Sequence, residues 1–162
     1  MLALGIDPGT ATIGFGLVRE LSDGSLQAVH YGVITTTPDL PMWERLSLIY
    51  DGIKALAEQY SPDRAGVEEL FFAKNVTTAI TVAQGRGVIL LALAQAGIPI
   101  SEHKPHVVKQ AIAGYGNAKK PQMQQMVRLL LGLETIPKPD DAADALAIAI
   151  TELHSYRYNI LE

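Results

Sequence analysis

A chain of 162 residues, with 48% hydrophobic and 19% charged side chains, is long enough to bury the core of one domain and too apolar to be disordered. Zero cysteines exclude disulfides and thiolate metal sites, and the longest purely apolar run, Val88 to Ala94, is too short to span a bilayer. The net charge of −4 argues against a nucleic-acid binder only until its distribution is counted, because between Ala73 and Arg128 seven basic residues face one acid, Glu102.

The apolar start, Met1 to Ile6, has no basic flank and runs into Asp7, so no leader or membrane anchor is expected; the chain reads as one cytoplasmic domain over 1–162. Three strands come first: Leu2 to Asp7, Gly14 to Arg19, and Leu26 to Thr36, with Asp23-Gly24 turning the second into the third. Trp43, Leu46, Ile49, Tyr50, Ile53 and Leu56 recur at helical spacing between Leu40 and Tyr60, and Ser61-Pro62-Asp63 stops that helix before a strand from Arg64 to Leu70. A second long helix is expected from Asn75 to Ala96, then a short strand from Ile98 to near His103. Helices over His106 to Ala113 and Lys120 to Leu131 follow. After the joint Pro137-Lys138-Pro139, a last helix is expected from Asp141 to about Leu153, with 155–162 as a flexible tail.

An antiparallel meander followed by alternating helices and parallel strands predicts an α/β fold of ribonuclease H-like type: a mixed five-stranded sheet with helices on both faces. The second long helix carries Val88, Ile89, Leu90, Leu91 and Leu93 around more than one face, which predicts that it also packs on a second copy of the chain as a homodimer.

Four carboxylates carry the chemistry. Asp7 and Glu68 stand at the C-terminal ends of strands, where ligands collect in such sheets, and Asp141 and Asp144 share one helix face at i, i+3. Brought together they repel one another unless divalent cations sit among them, and an all-oxygen donor set suits Mg²⁺ or Mn²⁺. Two ions in one pocket serve phosphodiester hydrolysis. Each acid also has a plainer reading: Asp7-Pro8-Gly9 forms turns, and acids in a first helical turn complement the helix dipole. Glu69 neighbours Glu68, but alternation along a strand lets only one face the site. Lys109 and Lys120 are candidates to hold a phosphate, while Phe71 or Phe72 is a candidate to stack on an unpaired base beside Lys74.

These residues resemble a known family, the RuvC endonucleases that resolve four-way (Holliday) DNA junctions in bacterial recombination and repair. The likeness runs over nearly the whole chain. It rests on Gly5-Ile6-Asp7-Pro8-Gly9-Thr10, on Glu68 through Phe72-Ala73-Lys74-Asn75, and on Asp141-Ala142-Ala143-Asp144-Ala145-Leu146-Ala147. Gln84-Gly85-Arg86-Gly87, Val108-Lys109-Gln110 and Gly114-Tyr115-Gly116-Asn117-Ala118-Lys119-Lys120 are also similar to it.

The resemblance implies a homodimer with two active sites, each holding two Mg²⁺ ions, with Mn²⁺ as a substitute, through Asp7, Glu68, Asp141 and Asp144. It implies symmetric nicks in two strands of like polarity, with ligatable 5′-phosphate and 3′-hydroxyl ends. By the same likeness Lys109 and Lys120 are active-site lysines and Phe71 stacks on a junction base. Lys74, Asn75, Arg86 and Lys119 join them as DNA contacts, and the branch-migrating RuvA and RuvB complex is the implied partner. Asp140 beside Asp141 and Pro121 after Lys120 depart from the pattern.

Two rival readings share the motifs. The Gly5 to Thr10 turn also resembles the phosphate-binding turn of sugar kinases and related ATPases, but the chain has no second copy of that turn and no Gly-Lys-Ser/Thr motif. A nuclease of the same fold acting on structured RNA is the other, and the Phe71 to Asn75 segment with the lysine-rich loop argues against it.

Overall fold

The computed structural model describes residues 1–70 and 75–161. Strands β1 (Leu2–Asp7), β2 (Thr12–Glu20), β3 (Leu26–Thr35), β4 (Arg64–Glu68) and β5 (Ile100–His103) form one sheet in the order β3-β2-β1-β4-β5. β1 pairs antiparallel with β2 and β2 with β3, whereas β4 pairs parallel with both β1 and β5. That is the mixed sheet expected from the sequence. The turn at Asp23-Gly24 forms as anticipated, with Gly24 at φ 84° and the Asp23 carboxylate accepting from the Ser25 backbone N–H at 2.9 Å.

Alternation along the strands sorts two cores onto the two faces. Leu2, Leu4 and Ile6 of β1, with Ile13, Phe15 and Leu17 of β2, pack under α1 (Met42–Tyr60) and α2 (Val76–Gln95). On the opposite face Ala3 and Val18 meet α3 (Pro105–Ala113), α4 (Lys120–Leu130) and α5 (Asp140–Leu161). α2 has the length and apolarity of a membrane span, but Ile89, Ala92 and Leu93 lie in the first core and Arg86 is bound within the fold.

α5 lies almost in contact with the sheet backbone, because the strand positions beneath it are glycines. A Cβ on Gly5 would overlap the Ala145 carbonyl oxygen, one on Gly14 would overlap the Asp141 carbonyl, and one on Gly16 would come within 2.8 Å of the Leu146 nitrogen. Farther along, Gly66 of β4 sits under Ile148 and Glu152. Ala142, Ala145 and Ala149 keep the facing side of the helix equally slim.

The flexible tail expected over 155–162 is instead helical through Leu161. Contacts beyond Leu153 account for the extension: the Arg64 guanidinium lies 4.5 Å from the centre of the Tyr156 ring, and Arg157 pairs with Glu20.

Candidate active site

Asp7 is the last residue of β1 and Glu68 the last of β4, and in this parallel pair both fall on the face covered by α5. Asp141 and Asp144 come from the first turns of α5, whose approach over Gly14 brings Asp141 down onto β2. Asp7, Glu68 and Asp144 line one cleft of about 620 Å³, walled on its other side by Lys109 of α3, Asn117 and Lys119 of the intervening loop, and Lys120 of α4. Asp141 is within electrostatic reach of Asp7 and Asp144 without lining that cleft.

Crowding of like charge dominates the cleft. Burial first, then the Glu68, Asp144 and Asp141 carboxylates, push the Asp7 carboxyl from 3.8 up to about 8, against a small opposing pull from Lys120. Glu68 is also pushed up, by burial and by Asp144, with Lys109 drawing it back. Burial raises Asp144 too, although Lys120 opposes this through charge and a hydrogen bond of 3.2 Å to Oδ2.

The acids are not closed into a ready cage. Among the described residues no three His, Cys, Asp or Glu side chains stand at mutual ligand spacing. Carboxylates crowded into one half-buried site repel, and Lys120 Nζ lies among them, 3.2 Å from Asp144 and 3.7 Å from Asp140. Asp140 is thus turned to Lys120 and to Lys138, 3.0 Å away. Asp7, pushed up to about 8 by burial and neighbouring acids, belongs to an all-oxygen donor set of the kind that fits hard divalent ions.

The other expected contacts divide. Lys109, Lys119 and Lys120 face the cleft. Asn75 caps α2, its Oδ1 accepting from the Thr77 N–H at 3.0 Å and the Thr78 N–H at 3.4 Å. Arg86 is engaged inside the fold: its Nε donates to the Glu68 carbonyl at 3.1 Å and its guanidinium pairs with Glu102, so it braces β4 from the α2 side. Phe71, Phe72 and Lys74 lie outside the described residues. Glu69 turns away from the cleft to line a hollow with Pro8 and Arg86. Pro121 falls in the first turn of α4, where its missing N–H has no helical partner to lose. Asn117 also lines the cleft, from a glycine-containing loop that leads into Lys119 and Lys120.

The model of the RuvC crossover junction endodeoxyribonucleases matches residues 3–152 of this chain. The chain belongs to that family. A crossover junction endodeoxyribonuclease RuvC of Chloroflexus aurantiacus is 63% identical over 156 residues, covering 96% of this chain and 93% of the relative. The structure of Thermus thermophilus RuvC superposes with a TM-score of 0.92 at 37% identity, covering 98% of this chain and 97% of that one. The same protein in complex with Holliday junction substrate gives 0.89 at 34% identity, over 98% and 96% of the two chains. A RuvC-family chain is a nuclease of four-way junctions, so the rival ATPase and RNA readings fall away.

Proposed function

We propose that this chain resolves four-way DNA junctions as a homodimer, each subunit cutting one of two strands of like polarity at a site built from Asp7, Glu68, Asp141 and Asp144. Nucleases of this family depend on divalent metal. The observation that carries the reading is the Asp7 carboxyl, held up to about 8 by burial among three other acids. A cleft with that much unbalanced negative charge takes up cations.

Asp7 and Glu68 hold the ions from the sheet side, and Asp141 and Asp144 from α5. Two Mg²⁺ ions, or Mn²⁺ in their place, would supply Lewis-acid activation of water and compensation of charge on the phosphate. Lys120, which pairs with Asp144 at 3.2 Å, would be available to hold a phosphate oxygen with Asp144 committed to an ion. Lys109 and Lys119 meet the DNA backbone on the same wall, and Phe71 stacks on a base opened at the crossover with Lys74 beside it. Water attack at phosphorus with the 3′-oxygen leaving gives ligatable 5′-phosphate and 3′-hydroxyl ends.

Paired nicks require two clefts related by a twofold axis. The outer face of α2 supports this, because Val76, Ile80 and Leu91 are 72%, 57% and 50% exposed among the described residues. The RuvA and RuvB branch-migration complex is the partner that the family relationship suggests, acting in the cytoplasm.

The test is nicking of an immobile four-way junction beside linear duplex and structured RNA of matched sequence, with Mg²⁺ or with EDTA. Symmetric, religatable cuts in the junction alone, abolished by EDTA, are expected. Equal cutting of linear duplex, or cutting in EDTA, overturns the proposal.

A further inference from the structure

The second core holds a polar cluster in which Glu152, 1% exposed, is the hub. Its Oε1 accepts from Arg64 Nε at 2.6 Å and from Ser101 Oγ at 3.0 Å, and its Oε2 lies 2.7 Å from His103 Nε2. Burial pushes the Glu152 carboxyl up, but the bonds from His103, Arg64 and Ser101 outweigh it and hold the group ionised below the usual range. An arrangement of this kind is a poor source of stability, since apolar residues of similar volume serve at least as well. Its value has to lie in what it positions.

Its members have a clear geometric relationship to the cleft. His103 is the last residue of β5 and the register partner of Glu68 across the parallel pair, and its backbone carbonyl accepts from the Glu69 N–H at 2.8 Å. The imidazole lies along β4: a Cβ on Gly66 would be 3.2 Å from His103 Cδ2 and 3.2 Å from Glu152 Cβ. The ring therefore packs over Gly66, on the same face of β4 as the Glu68 side chain two residues on. Two residues past His103, Pro105 begins α3, which carries Lys109. β5 is an edge strand of four residues, and this cluster ties its end to the helix bearing Asp141 and Asp144.

We propose that Glu152 and His103 are positioning residues for the cation site: by locking the end of β5 to α5 they aim Glu68 at Asp7 and set the distance between the acids and Lys109. The proposal rests on the reading of Glu68 as an ion ligand. Glu152 lies eleven residues beyond Asp141, three helical turns, so one helix supplies acids to the site at its start and fixes the opposite strand near its far end.

The experiment compares the parent with Glu68→Gln and with the double variant His103→Phe, Glu152→Leu. Replacing both groups together leaves neither a buried histidine nor a buried carboxylate unpaired; Arg64 loses its carboxylate but is partly exposed and keeps Ser101 and the Tyr156 ring, so this variant is expected to fold with a melting temperature somewhat below that of the parent. Titration of the DNA-free dimer with Mn²⁺ by calorimetry should show the double variant binding about 10-fold or more weakly, in the range lost when groups supporting metal ligands are removed. Junction binding without metal should stay within about twofold, and saturating Mn²⁺ should restore most of the cleavage rate. Unchanged Mn²⁺ affinity in the folded double variant, with Glu68→Gln weakened, overturns the positioning role. Unchanged affinity in Glu68→Gln instead overturns the ligand assignment beneath it. If the double variant is not recovered folded, the proposal is decided on Glu152→Gln and Ser101→Ala, where Mn²⁺ affinity equal to the parent in both overturns it.

Discussion

Lys120 Nζ sits 3.2 Å from Asp144 Oδ2, so a fixed cation of the protein rests on one of the carboxylates proposed to hold exchangeable ones. Lys120→Ala removes a phosphate donor as well as this partner. Junction binding should then fall less steeply with salt, by about one unit in the slope of log affinity against log salt, and cleavage should slow by about 10²-fold. A fluorescence-anisotropy salt series checks the first, and a slope equal to the parent's assigns Lys120 to the solvated surface.

The Asp7 carboxyl titrates near 8 in the folded, ion-free chain against 3.8 as its ordinary value. Between those values the folded protein keeps a proton that the unfolded chain gives up. The unfolded state thus binds fewer protons, and stability falls as pH rises through that window. Asp7→Asn should remove the largest part of this slope, leaving the smaller share of Glu68 and Asp144. In EDTA the variant should melt about 3 °C or more above the parent at pH 8 and close to it at pH 4.5, while Mg²⁺ should raise only the parent. Scanning calorimetry across that range decides the matter; parallel pH profiles count against the crowded-acid account.

Neighbouring glutamates provide a contrast that depends on strand alternation alone. Glu68→Gln should lower junction cleavage by about 10²- to 10³-fold, whereas Glu69→Gln, turned to the α2 side, should stay within about threefold of the parent. Single-turnover cleavage measures both, and equal losses would mean that the end of β4 twists to present both side chains.

For assembly, Ile80→Asp combined with Leu91→Asp places two charges on the outer face of α2. Sedimentation should move from dimer toward monomer at micromolar concentration, and cleavage should shift from paired to single nicks. A dimer that survives both charges locates the twofold elsewhere.

The close seat of α5 offers a stability test. Gly5→Ala would drive a methyl group into the backbone at Ala145, and neither side has a flexible side-chain end to yield. A loss of about 3 kcal/mol or more, or failure to fold, is expected in denaturant melts; a loss below about 1 kcal/mol would mean that α5 rides higher than described.

Much of this was legible in the chain. Asp7, Glu68 and the Asp141, Asp144 pair each sit at an element boundary that local patterning identifies, and the order of strands and helices follows from period and turn chemistry. What was hidden depends on register. Gly5, Gly14, Gly16 and Gly66 read separately as weak strand positions, and only the pairing of three strands aligns them into a lane for α5. Glu152 reads as a surface acid near a helix end until β5 brings Ser101 and His103 beneath it. Arg86 stands in a basic stretch and in a motif similar to the family's, and only the fold shows that the Glu68 carbonyl and the Glu102 carboxylate engage it. The helix past Leu153 was missed because Tyr156 and Arg157 are held by Arg64 and Glu20, which no local pattern connects to them.

Over Gly5 and Gly14 the backbone of α5 rests on the backbone of the strands, so the start of the helix and the end of β1, two sources of acid, behave as one casting. The lysines belong to α3, α4 and the loop from Gly114 to Lys119, which meet the sheet only by way of α5 and ordinary side-chain packing. Any adjustment to a bulky, branched substrate therefore comes more easily from the basic wall than from the acidic one.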